Sequence, residues 1–166
     1  MNTNKLYNKA FLEQMAQKAS AENKKLSKKL KAKKPKQLDS IIHDLDEEAF
    51  DKIDCLQCAN CCRSLGPRIL QKDIERLAKF LRMKPKVFID TYLRIDEDKD
   101  YVFQTMPCPF LGADNYCAVY EKRPKACAEY PHTTENKMVK HLNLMRKNCS
   151  TCPAVYYILE GLKKEF

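Results

Sequence analysis

Glycine is nearly missing from this chain: Gly66, Gly112 and Gly161 are all it has in 166 residues. So few glycines exclude a turn-rich β architecture. They also exclude the glycine-rich strand-to-helix turn on which a Rossmann sheet binds dinucleotides or S-adenosylmethionine. No stretch approaches the roughly 18 apolar residues of a membrane span. The opening MNTNKLYNKAFLEQMAQKAS lacks an apolar core and a small-residue cleavage site, so it does not read as a secretory signal. It has Glu13 and Glu22 but no arginine, which argues against an organelle transit peptide. The expected address is the cytoplasm.

Charge is present in abundance but unevenly placed. Residues 1–36 hold eleven lysines and two glutamates, a net of +9, which is the net charge of the whole chain. Residues 37–166 are neutral in sum. The expected organisation is a basic, lysine-rich helical arm over 1–36 and a cysteine-rich domain over 37–166. Tyr7, Phe11, Met15, Ala19, Leu26 and Leu30 supply an apolar helical stripe in the arm. Lysine without arginine or interleaved aromatics attracts polyanions but reads no bases. The arm therefore suggests RNA, the ribosome or an acidic protein as partner, or else a solvated helix packed through its stripe.

Elsewhere helical periods dominate. Leu38, Ile41, Ile42, Leu45 and Ala49 share one face. Ile74, Leu77, Ala78 and Leu81 share another, with Asp73 at the amino end of that helix. Pro85 opens a short helix bearing Val87, Phe88, Tyr92 and Leu93. Val155, Ile158, Leu159 and Leu162 mark a terminal helix. RIDEDKD reads as an acidic solvated loop, because it lacks the glycine and final glutamate of a calcium loop. YVFQTM is the best strand. Residues 107–131 look irregular, with a short helix after Pro124, and 133–148 fit no single pattern. The fold class is mainly α, with irregular cysteine-rich loops and little β: a small metal-stabilised domain plus the helical extension.

Nine cysteines are the chain's strongest signal: Cys55, Cys58, Cys61, Cys62, Cys108, Cys117, Cys127, Cys149 and Cys152. In a reducing compartment such density points to metal rather than disulfides. Cys55, Cys58 and Cys61 are spaced C-x2-C-x2-C, which lets a tight turn aim successive thiolates at one point. Cys62, beside the third, either reaches the same centre from another angle or serves a second one. Cys149 and Cys152 repeat C-x2-C, and Cys108 and Cys152 precede proline. These are ingredients of ferredoxin-type ligation in a different order. All nine are candidate ligands, in two four-thiolate sites or one. An iron–sulfur cluster is favoured over zinc. Arg63, Arg68, Arg123 and Lys125 lie close by to offset thiolate charge, and Tyr120 and Tyr130 to exclude water. No catalytic residue is assigned: Cys127 and His132 are close in sequence but have no triad-like context. His43 reads as exposed, and His141 as a surface residue.

CLQCANCC, PCPFL, CAVYEKRPKACAEYP and the late CP resemble the YkgJ-type CxxCxxCC cysteine-cluster proteins, described as a zinc- or iron-chelating domain. The resemblance covers roughly residues 52–155 and leaves the arm outside. It implies eight ligands: Cys55, Cys58, Cys61, Cys62, Cys108, Cys117, Cys127 and either Cys149 or Cys152. It also implies redox, sensing or protein-modification support work. Some relatives carry a flagellin lysine N-methylase label, but the missing glycine-rich turn speaks against that chemistry here. The alternative is a structural-zinc interaction module that uses the basic arm.

Overall fold

The computed structural model describes residues 3–166. The first two residues of the basic arm lie outside the described residues. The chain is 63% helical, with one two-stranded sheet. It forms two compact units. The first joins residues 1–60 to 131–166, and the second is the continuous segment 61–130.

In the first unit, helix α1 (Lys9–Leu30) starts at Asn8, whose Oδ1 accepts the Phe11 N–H at 3.0 Å. Its buried face is Leu12, Ala16, Ala19, Asn23, Leu26, Ser27 and Leu30, which includes Ala19, Leu26 and Leu30 of the expected stripe but not Phe11 or Met15. Steps of four alone drift around a helix with 3.6 residues per turn, whereas alternating fours and threes hold one face. Phe11 is consequently exposed. Helix α2 (Pro35–Lys52) has proline in its first turn and buries Leu38, Ile42 and Ala49. Ile41 and Leu45, on the same expected face, are only half-buried. The chain's last helix (Pro153–Glu165) buries Val155, Ile158, Leu159 and Leu162 as expected. It packs against α2, where a side chain at Gly161 would meet Leu45 Cδ2 at 2.7 Å. The ambiguous stretch is a 3-10 turn (Met138–Lys140) followed by a short helix (Leu142–Asn148) that packs on α1. Asp39 accepts the Lys137 and Met138 N–H groups at 2.8 and 2.7 Å and ties that turn to α2. His43 is half-buried rather than exposed, with Nε2 3.2 Å from the Glu135 carbonyl oxygen.

The signature opens as two single-turn helices, α3 (Cys55–Cys58) and α4 (Asn60–Ser64). The second unit begins within the latter. It continues with α5 (Gln71–Phe80), α6 (Pro85–Tyr92) and the antiparallel strands β1 (Leu93–Ile95) and β2 (Tyr101–Phe103), paired Leu93 to Phe103. The acidic run is the turn of this hairpin: Asp96 Oδ1 accepts the Asp98 and Asp100 N–H groups, each at 3.0 Å. Arg68 pairs with Asp100 at 2.9 Å. Helix α7 (Lys125–Glu129) follows Pro124 and carries Cys127. The two later helices are therefore α8 (Leu142–Asn148) and α9 (Pro153–Glu165).

The core of the second unit is Ile69, Ile74, Leu77, Phe88, Leu93, Phe103, Phe110 and Val119. Val87, expected inside, is exposed. Phe110 stands 5.0 Å from Tyr92 and 5.6 Å from Phe103 between ring centroids, so the cysteine-bearing segment is anchored in the aromatic core.

Candidate metal centres

The thiols fall into sets. In the second unit, the Cys108 N–H donates to the Cys62 carbonyl at 2.8 Å, which lays the signature against the PCPFL segment. Cys117 is carried back by a turn: Gly112 N–H donates to Tyr116 O at 2.8 Å, and Leu111 bridges to Cys117. A Cβ at Gly112 would sit 2.5 Å from Asp114 Oδ1 and 3.3 Å from the Tyr116 carbonyl oxygen, so a larger residue would press on this turn. Cys127 comes in on α7. Charge on Cys62 raises the pKa of Cys108, Cys117 and Cys127, and charge on Cys108 and Cys117 raises that of Cys127. These four sulfurs thus share one electrostatic environment. Among the described residues, no three of them lie all within 4.8 Å of one another.

Burial is the main influence on most of the set. It pushes Cys108 up to about 11, against the N–H groups of Phe110 and Leu111 that support its thiolate. Burial raises Cys117 too, opposed by the Val119 N–H, and pushes Cys127 up to about 12. Cys62 is the exception, lowered to about 7 chiefly by its hydrogen bond with Cys61, whose Sγ is 3.9 Å away, with help from Arg63. Arg123 lowers Cys117 and Cys127. Of the four expected cations, Arg63 and Arg123 therefore act on thiols, while Arg68 and Lys125 pair with Asp100 and Glu129. Tyr120, expected to cover the sulfurs, is exposed, and the Arg123 guanidinium stacks 3.9 Å from its ring centroid.

In the first unit, Cys152 has Cys55 and Cys58 as charged neighbours. Burial pushes it up to about 12, opposed by the N–H groups of Val155 and Ala154 at the start of α9. Cys58 is buried and Cys55 exposed. Asp54 caps α3 by accepting the Leu56 N–H at 2.8 Å. Ala59 ends it in the left-handed region (φ 48°), a conformation that favours glycine. Cys149 lies elsewhere in this unit. Burial pushes it up to about 12, its charged neighbours are Glu160 and Lys163, and Asn23 Nδ2 donates to its sulfur at 3.8 Å.

One functional pair escaped the sequence. Asp73 is 1% exposed and accepts the Leu70 N–H at 3.0 Å, the Lys125 N–H at 3.1 Å and Arg76 Nη2 at 2.5 Å. Arg76 also donates to the Arg123 carbonyl at 2.9 Å and the Lys122 carbonyl at 3.3 Å. This clamp fixes the RP dipeptide and the start of α7, and so Cys127, against α5. Residue spacing gives no hint of it, because the partners lie about fifty positions away. Asp73→Ala is expected to cost about 3 kcal/mol, since it strands a half-buried guanidinium and two backbone donors. Urea denaturation measures this, and a loss below about 1 kcal/mol contradicts the clamp.

A family model described as "Putative zinc- or iron-chelating domain" and named CxxCxxCC matches residues 54–153. The chain belongs to the CxxCxxCC family. The match runs from the cap of α3 to the first residue of α9 and takes in all nine cysteines. No curated protein and no solved structure matches the chain. No helix among the described residues is long and apolar enough to cross a membrane. The donor chemistry fits the family's description: each unit holds thiols near enough to influence one another, with amide N–H groups beside them and, in the second unit, Arg63 and Arg123 to offset thiolate charge.

Proposed function

We propose that this CxxCxxCC protein holds an iron–sulfur cluster on Cys62, Cys108, Cys117 and Cys127, and a second metal centre to which Cys55, Cys58 and Cys152 contribute. The observation that carries the reading is that one unit delivers four thiols from three separate segments: the Cys108 N–H donates to the Cys62 carbonyl at 2.8 Å, and Cys62, Cys108 and Cys117 all act on Cys127. Cys152, beside Cys55 and Cys58, is the ligand of the late pair, and Cys149 the spare thiol. Four thiolates can hold either an iron–sulfur cluster or one zinc ion bonded at about 2.3 Å. The Cys108–Pro109 pair, an element of ferredoxin-type ligation, favours the cluster. When bound, such a cluster supplies one-electron redox chemistry. The chain's own residues orient the thiols, exclude water on the Phe110 side and balance charge through Arg63 and Arg123. The role is redox, sensing or support of a protein-modifying reaction in the cytoplasm.

The second reading is a structural-zinc module whose arm, residues 1–36, engages RNA, the ribosome or an acidic protein. The exposure of Lys18, Lys24, Lys25, Lys28 and Lys29 on α1 favours it. Purification without oxygen separates the two. The first reading expects a brown protein with iron and acid-labile sulfide. Colourless protein with stoichiometric zinc and no sulfide overturns it in favour of the second.

A further inference from the structure

A cleft of about 400 Å³ lies in the first unit, between α1 and α8. Two helical rows line it: Ala16, Ser20 and Asn23 on α1, and Asn143, Arg146 and Lys147 on α8. Spacings of three and four place each row on one face of its helix. Ala16 is short and leaves room between the rows. The lining carries two cations, two carboxamides and a hydroxyl, and no carboxylate. Glu22, next to the α1 row in sequence, accepts from Lys163 Nζ at 3.0 Å.

Two features suit this cleft to a polar ligand. Arg146 is half-buried and, among the described residues, makes no ion pair. A guanidinium withdrawn from water in this way favours an oxyanion that can take its paired donors. Asn23, 3% exposed, is held by its Nδ2 donation to Cys149 Sγ, while its Oδ1 has no hydrogen-bond partner. A buried carboxamide oxygen without a donor is destabilising, and a turn of the carboxamide into the cleft to meet a ligand hydroxyl would relieve it.

We propose that this cleft binds a small phosphate monoester bearing a free hydroxyl. The phosphoryl group pairs with Arg146 and Lys147, and the hydroxyl donates to Asn23, with Ser20 and Asn143 completing the polar lining. A phosphate monoester carries a charge of about −1.5 to −2 near neutral pH, which matches two cations better than one carboxylate does. The volume lies in the range of small-molecule clefts, roughly 300–1,000 Å³. The site is independent of the thiol sets and of the metal they hold.

The test is titration of the full chain, isotope-labelled for NMR, with ribose 5-phosphate, inorganic phosphate and ribose. The proposal expects shifts centred on Asn23, Asn143 and Arg146, with ribose 5-phosphate at least tenfold tighter than either of the other two. Arg146→Gln should weaken it at least tenfold at an unchanged thermal midpoint. Lys147→Gln, at an exposed side chain, gives the same readout if Arg146→Gln does not fold. Equal affinity for the ester and inorganic phosphate overturns the proposal. So do shifts spread along the lysines of α1, or unchanged affinity in the variants.

Discussion

Cys127→Ser is expected to yield a protein that has lost the metal of one centre and kept that of the other. Serine preserves the size of the side chain, so packing on α7 survives while one of four thiolates is withdrawn. Structural thiolate sites contribute on the order of 10 kcal/mol to folding when metal is bound. A fall in thermal midpoint of ten degrees or more is therefore expected alongside the lost metal. Cys152→Ser should remove the complementary fraction, because Cys152 lies with Cys55 and Cys58 in the other unit. Cys149→Ser should change neither metal content nor colour, since the neighbours of that thiol are Asn23, Glu160 and Lys163. Elemental analysis of the three variants, purified without oxygen, decides the matter. Full metal in Cys127→Ser, or equal loss in Cys149→Ser, defeats the assignment.

The metal-free protein is expected to unfold in mild alkali, whereas the metal-loaded protein does not. Burial holds Cys127, Cys149 and Cys152 near 12, well above the value of 9.0 for a free thiol. A thiol whose pKa is raised by folding stabilises the native state relative to its ionised, unfolded form only while both states are protonated. That contribution is intact below about pH 9 and is lost as pH climbs from 9 towards 12. Each such thiol costs about 1.4 kcal/mol per pH unit in that window, so the three together remove about 8 kcal/mol by pH 11. This is comparable to the whole stability of a domain, about 5–15 kcal/mol. Metal fixes the ligand thiols as thiolates in both directions of pH and removes most of the loss. Denaturant midpoints at pH 8 and pH 10.5, with and without chelator under reducing conditions, measure it. Parallel behaviour of the two forms would show that these sulfurs are not where the metal acts.

Much of the architecture is legible from periodicity and punctuation. Pro35, Pro85 and Pro153 each open a helix, and the apolar positions of α5 and α9 are those their spacing indicates. The face of α1 is legible only in its second half, at Ala19, Leu26 and Leu30, because Phe11 and Met15 are more hydrophobic than Ala16 and mark the wrong row before it. Strand β1 is also hidden. Leu93, Arg94 and Ile95 are too few to signal a strand, and only pairing with Tyr101–Phe103 makes one. The family and its thiols can be read directly, since spacing within a short loop reflects local geometry. Which thiol belongs with which cannot, for that depends on turns such as the one at Gly112 and on contacts such as Asp73 to Lys125. These join positions that the linear order keeps apart.

The second unit is one uninterrupted stretch, 61–130, set between the two pieces of the first. During synthesis it has all of its own sulfurs once Cys127 has emerged. The first unit waits for Cys152 and the helix behind it. On the proposed assignment of ligands, the inner segment thus completes its thiol set while the outer one is still unfinished.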